Sequence, residues 1–278
     1  MGHFADSLFL NGYIAVSPDL PMRKALHDTF SCAFEFYQQG PAHKAPYAMP
    51  DRREGYRAMG SEYSATEDRP DLAETFSCST CNGDVIGSFP PGHGRRLYQQ
   101  MLDVTLHFAS LAESIANDIR EALCSLPPRH FEIEGWSRLQ MNCTHPAAAE
   151  REILHDRHED GDLFTLTYVT HEGMEIETDD GEWRPLWNPG QLLVLPGETL
   201  CLISGGRIPP RYHRVLRSNA SMRLALLYFV DLAPHSSEAW IANELNRDID
   251  IGSRLFDNSA RYGVPPVRDR VPAREGQA

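Results

Sequence analysis

In the second half of the chain, apolar residues come in strand-length runs separated by turn signals, and this restricts the fold more than any other feature. The runs are Ser137 to Asn142, Leu163 to Val169, Met174 to Thr178, Trp183 to Trp187, Gln191 to Leu195, Thr199 to Ile203, His213 to Arg217 and Met222 to Asp231. Asp179-Asp180-Gly181 lies between two of them as a hairpin turn, and Asn188-Pro189-Gly190 marks another. Strands this short and this numerous, with turns between them, predict a jelly roll, a double-stranded β-helix built from two antiparallel sheets.

The first half has a helical period instead. Ser17-Pro18-Asp19 offers a cap, and Met22, Leu26, Phe30, Phe34 and Tyr37 follow at spacings of three or four until Gly40-Pro41. A longer helix is expected from about Arg95 to Leu123, with Leu97, Met101, Leu102, Phe108, Leu111, Ile115, Ile119 and Leu123 as its core-facing stripe and Pro127-Pro128 as its stop. Residues 41 to 93 are rich in Gly, Pro and charge and read as extended loop. The expected class is α+β dominated by β, with a jelly-roll core and flanking N-terminal helices. One domain is expected over 1–278: a mainly helical region 1–135, the jelly-roll core 136–235, and a C-terminal helix and tail 236–278.

Composition narrows the partner. Among 278 residues the formal net charge is -13 and the pI about 5.3, and no clustered Lys/Arg surface is present to neutralise phosphates, so no nucleic acid is expected. No apolar run reaches the roughly 20 residues of a membrane span. Met1 to Asp6 lacks the basic-then-apolar pattern of a secretory signal, so a cytoplasmic protein acting on a small molecule is expected. The cysteines are dispersed and expected as free thiols; Cys78-Ser79-Thr80-Cys81 has half a zinc-site spacing but no second pair at zinc-ribbon distance.

The chemistry gathers at His158-Glu159-Asp160, directly before the run Leu163 to Val169. Alternate positions there place a histidine and a carboxylate on one strand face. His213 opens a later strand, far enough on for the chain to return beside the pair. Two histidines and one carboxylate leave part of a metal's coordination sphere open, which fits a non-haem Fe(II) that activates O2. Isolated His-x-Asp pairs are usually surface chemistry, and His145, His155 and His171 compete, but none of these precedes both a carboxylate two residues on and a strand. Arg223 lies inside the apolar run Met222 to Val230, where a guanidinium is costly to bury unless it meets an anion. Arg138, Gln140 and Asn142 alternate along one strand and suit a polar substrate.

With these residues in view, the chain resembles the isopenicillin N synthase-like branch of the Fe(II)/2-oxoglutarate-dependent dioxygenases. The likeness rests on His158-Glu159-Asp160-Gly161-Asp162-Leu163-Phe164-Thr165-Leu166, on Tyr212-His213-Arg214-Val215, and on Pro189-Gly190 with Leu193-Val194. It extends to Arg53-Glu54-Gly55-Tyr56 and to Pro70-Asp71-Leu72-Ala73-Glu74-Thr75-Phe76, covering roughly residues 8 to 235. The resemblance implies that His158, Asp160 and His213 bind Fe(II), and that Arg223, with Asn142 nearby, binds 2-oxoglutarate. It also implies oxidation of an unactivated C–H bond by hydroxylation, desaturation or cyclisation, in secondary metabolism. The chain departs from the family in Ala225, where a serine is usual, and in Gln140-Met141-Asn142-Cys143, where Asn-Tyr-Tyr-Pro is usual. Arg53 aligns with a residue that meets the substrate carboxylate in isopenicillin N synthase, and Ser204-Gly205-Gly206-Arg207 resembles a turn in cephalosporin ring-expanding relatives. Arg53, Arg138, Gln140 and Arg207 are therefore the candidate substrate contacts. The missing serine keeps one alternative open, an Fe(II) oxidase of the isopenicillin N synthase type that does not use 2-oxoglutarate. A non-catalytic jelly-roll binding protein is the remaining alternative.

Overall fold

A computed structural model describes residues 3–49, 53–133, 135–234, 239–242 and 249–264. Its helices are α1 (His3–Asn11), α2 (Leu20–Tyr37), α3 (Pro41–Lys44), α4 (His93–Cys124), α5 (Glu198–Ile203) and α6 (Ile251–Arg261). Its strands are β1 (Ile14–Val16), β2 (Gly55–Arg57), β3 (Ala73–Cys78), β4 (Arg138–Thr144), β5 (Ile153–His158), β6 (Phe164–Val169), β7 (Met174–Glu177), β8 (Trp183–Pro185), β9 (Leu192–Pro196), β10 (His213–Leu216) and β11 (Arg223–Val230). None of the described helices is long and apolar enough to cross a membrane.

The strands form two antiparallel sheets. The larger has the order β1-β9-β6-β11-β4-β3-β2 and the smaller β5-β10-β7-β8. Strict alternation fits the larger sheet between two different surroundings. Along β4, Leu139, Met141 and Cys143 face the helices, while Arg138, Gln140 and Asn142 line a cavity on the other side. Along β11, Leu224, Leu226, Tyr228 and Val230 join the helical core, while Arg223, Ala225, Leu227 and Phe229 line the cavity. The smaller sheet closes the cavity's far side with His155, His158, Met174, His213 and Val215.

Helices α2 and α4 cover the outer face of the larger sheet. Asp19 caps α2 by accepting from Met22 N at 2.9 Å, as its position before the apolar stripe predicts. The buried face of α2 is rotated from the expected one: Phe36 is sealed against Phe76 with ring centroids 5.1 Å apart, and Phe34 stands exposed. Phe108 of α4 meets Tyr228 edge-on at 5.7 Å. Ser125 ends α4 in the left-handed region at φ 54.

Three expectations fail here. Thr199 to Ile203 is not a strand but part of α5, since Gly197 and Glu198 turn the chain back onto the loop after β5. Residues 41 to 93 are not all loop, because β2 and β3 extend the larger sheet beyond β4. All six residues of β3 are buried, and its charge is compensated rather than solvated: Glu74 takes Lys44 as an ion pair and Tyr56 as a hydrogen-bond donor at 2.5 Å. Charge in that segment hid a buried strand. Strands β1 and β5 were also not expected.

Candidate metal centre

His158 ends β5 and His213 begins β10, and the two are direct partners in the antiparallel register. Asp160 is not on the following strand, as the sequence suggests, but in the connection that carries the chain from the smaller sheet to β6 in the larger one. The alternation that was to align His158 with Asp160 is replaced by a crossover, which brings Asp160 over the cross-strand histidine pair. Asp160 Oδ1 lies 3.9 Å from His158 Nε2 and 3.9 Å from His213 Nε2, and the imidazole centroids are 4.2 Å apart. One ligand atom from each residue falls within 4.8 Å of the others.

Neighbouring groups set these side chains for ligation. His158 Nδ1 contacts Asp156 O at 2.7 Å and His213 Nδ1 contacts Arg211 O at 3.1 Å. A ring nitrogen facing a carbonyl must donate, so in the neutral imidazole each Nε2 keeps its lone pair. Burial, then the nearby charge of His213, pushes His158 down to about 4, which holds it neutral. Thr165 Oγ1 donates to Asp160 Oδ2 at 2.5 Å, leaving Oδ1 for a metal. The corner between β9 and α5 grips the connection itself: Glu198 N donates to Asp160 O at 2.8 Å and Thr199 Oγ1 to Gly161 O at 2.7 Å. Gly197 makes this approach possible, since a Cβ there would stand 2.1 Å from Asp162 O. Two imidazoles and a carboxylate, nearly buried and each oriented from behind, suit Fe(II) as a donor set.

The triad lines a cavity of about 110 Å³. Arg223 reaches into it from β11, 3% exposed, with Nε donating to the carbonyls of His171 and Glu172 at 3.2 and 3.1 Å. No described carboxylate pairs with it, and burial alone pulls its pKa down to about 10. Asn142 and Ala225 are partners across β4 and β11 and both line the cavity. Asn142 Oδ1 accepts from Gln140 at 2.8 Å, which leaves its amide NH2 on the cavity side. Arg53 and Arg138 line the same cavity, as does Asp162, which burial and then the Asp160 charge raise to about 6. Asp231 hydrogen-bonds to Asp162 and is raised too, chiefly by burial.

Arg207 does not join them. It is exposed after α5, where Gly205 and Gly206 at φ 64 and 81 end the helix, so its turn is a helix terminus rather than part of the cavity wall. Thr165, Glu62 and the pair His155–Asp71, 3.2 Å apart, line the cavity without having been singled out as site residues. Thr165 and Thr167 stood as the polar alternates of a strand and could have been noticed, whereas Glu62 lies in a charge-rich segment without period. From the C-terminal side, Asn258, Tyr262 and Val264 cover the cavity, and Tyr262 OH donates to Glu159 O at 2.5 Å. Cys78 is a buried free thiol, and the side chain of Cys81 lies outside the described residues.

Residues 136–232 match the family model of the 2OG-Fe(II) oxygenase superfamily. A stretch of 60 residues, 21% of this chain, is 40% identical to the 2-oxoglutarate-dependent dioxygenase AOP2 of Arabidopsis thaliana, and equally to a form named probable inactive. That stretch spans 14% of AOP2 and 15% of the probable inactive form, so the likeness covers a small part of these relatives. A full-length Neurospora crassa protein, crystallised in complex with alpha-KG, superposes with a TM-score of 0.76 at 15% identity, over 93% of this chain and 90% of that one. The dioxygenase for auxin oxidation of rice gives 0.68 at 20% identity, over 88% and 81%. The family match spans the segment that carries His158, Asp160, His213 and Arg223, so the chain resembles the 2OG-Fe(II) oxygenase superfamily over that segment.

Proposed function

We propose that this chain is a non-haem Fe(II)- and 2-oxoglutarate-dependent oxygenase that oxidises an unactivated C–H bond of a small polar metabolite. The observation that carries the reading is the convergence of His158 Nε2, His213 Nε2 and Asp160 Oδ1 in the cavity that also holds Arg223. The strand orders β9-β6-β11-β4 and β5-β10-β7-β8 support a double-stranded β-helix as the scaffold.

His158, Asp160 and His213 would hold the metal. When bound, Fe(II) supplies the means to activate O2 together with the oxidative decarboxylation of 2-oxoglutarate to succinate. The chain supplies position. The planar fork of Arg223, fixed through Nε, receives the distal carboxylate of the co-substrate. Asn142 takes over the role of the hydroxyl that Ala225 lacks, because its amide is the cross-strand neighbour of that position. Tyr262 and Asn258 exclude water from the ligand side of the cavity.

Dependence on 2-oxoglutarate is favoured over the oxidase alternative by the names of the Arabidopsis relatives and by the alpha-KG in the Neurospora structure. The uncompensated Arg223 supports the same choice. A place in secondary metabolism follows by analogy with the resembled branch. The test is succinate release: it should require both Fe(II) and 2-oxoglutarate and vanish in Asp160→Ala. No succinate with a full substrate panel would sink the reading.

A further inference from the structure

We infer that the substrate is a small carboxylic acid, and that Arg138 is the residue that receives its acid group. The inference rests on the proposed function, which assigns Arg223 to the co-substrate and so leaves a second buried guanidinium in the same cavity without an assigned anion.

Arg138 is 9% exposed and lines the cavity. Its Nη1 donates to neutral oxygens, Gln140 Oε1 and Ser77 Oγ, the latter at 3.4 Å, and its guanidinium lies 4.5 Å from the centroid of the Phe229 ring. No described carboxylate is within ion-pair distance. Arg57, on β2 of the same sheet, shows what a structural arginine does here: it pairs with Glu62 at 3.2 Å. Asp162 and Asp231 are near but hydrogen-bond to each other. Arg53 lines the same end and adds positive charge, lying close enough to repel Arg138. A buried cation whose hydrogen bonds go only to neutral oxygens, with the nearest carboxylates beyond ion-pair distance, is costly, and an anion that arrives with the substrate lowers that cost.

Register fixes where that anion would sit. Phe229 pairs with Arg138 on one side and with Thr165 on the other, so Arg138 shares a cross-strand row with the residue that orients Asp160. Arg223 pairs with Thr144 at the opposite end of the same ladder, six residues away, which is about 20 Å along the strand. The two guanidinium-bearing positions therefore lie at opposite ends of the β4–β11 ladder. Co-substrate held by Arg223 and an acid held by Arg138 would thus be received at different ends of the β4–β11 ladder. Gln140, which accepts from Arg138 and donates to Glu62 at 3.1 Å, holds the Arg138 fork in place.

The test uses the full chain loaded with Mn(II), which does not turn over, and saturated with 2-oxoglutarate. Calorimetry then compares phenylacetate, hexanoate and N-acetylglycine with their primary amides. At least one acid should bind ten-fold or more tightly than its amide, and Arg138→Met should erase that difference while Arg138→Lys keeps part of it. If no acid is preferred over its amide, or if the preference survives in Arg138→Met, the inference is wrong. The wild-type comparison stands even if a variant fails to fold. The heat of 2-oxoglutarate binding in the first step reads the proposed function separately: uptake without acid preference removes only the substrate class, and no uptake removes both.

Discussion

Around the metal centre, single residues act mainly by orienting one another. Asp160 is held by polar contacts, its carboxylate by Thr165 and its carbonyl by Glu198 N, so Asp160→Ala should abolish turnover and metal loading while circular dichroism stays native. Thr165 holds Asp160 from behind, and removing such a partner typically costs about 10–100-fold in metal affinity. Thr165→Val should show that loss in a metal-chelator competition with no change in secondary structure; undiminished affinity would mean that Asp160 needs no support. Arg223→Ala should raise the apparent KM for 2-oxoglutarate at least ten-fold while leaving metal affinity close to wild type. An unchanged KM would return the oxidase alternative to favour.

Among the elements, the corner between β9 and α5 and the packing of β3 are the parts most open to test. Gly197→Ala places a methyl against Asp162 O, and the backbone around Asp160 must move. Lower melting temperature together with weaker metal binding is expected, and wild-type values for both would show that the corner does not position the ligand loop. On the helix side of β3, burial would raise Glu74, but His145, Lys44 and Tyr56 hold it at about 2. A carboxylate depressed in the folded state stabilises fully above its unfolded value near 4.5, and that contribution is lost as pH falls toward 2. In urea unfolding, the stability gap between wild type and Glu74→Gln should therefore narrow from pH 5 to pH 3. Lys44→Met, which leaves the buried carboxylate with only Tyr56 and His145, should lower stability at neutral pH by less than the ~3–5 kcal/mol of a fully stranded charge. Strand β3 also shows why its segment was unreadable from sequence: its one charged residue, Glu74, is neutralised by Lys44, 30 residues earlier, and a hydropathy pattern cannot see pairing.

For the whole molecule, what was legible was what depends on local period. The cap and stop of α2, the long stripe of α4, and the alternation of β4, β6 and β11 all follow from neighbouring residues, and they place Arg138, Gln140, Asn142 and Arg223 on one wall. His158, Asp160 and His213 were legible as a set, but their geometry was not. A chain crossover between sheets brings Asp160 over the histidines, and nothing in the local spacing distinguishes that from two alternate positions on a strand. The short helix α5 was misread for a similar reason, since six residues are too few to show a helical period. The cover from Asn258, Tyr262 and Val264 depends on a segment that sequence suggested only as a C-terminal helix and tail. Metal, co-substrate and triad are proposed to meet in one site, and anaerobic titration of the Fe(II)-loaded protein with 2-oxoglutarate reads all three at once. A visible charge-transfer absorption should rise to saturation at one equivalent in the wild type and be absent in Asp160→Ala; no such absorption in the wild type, or the same absorption in the variant, would contradict that arrangement.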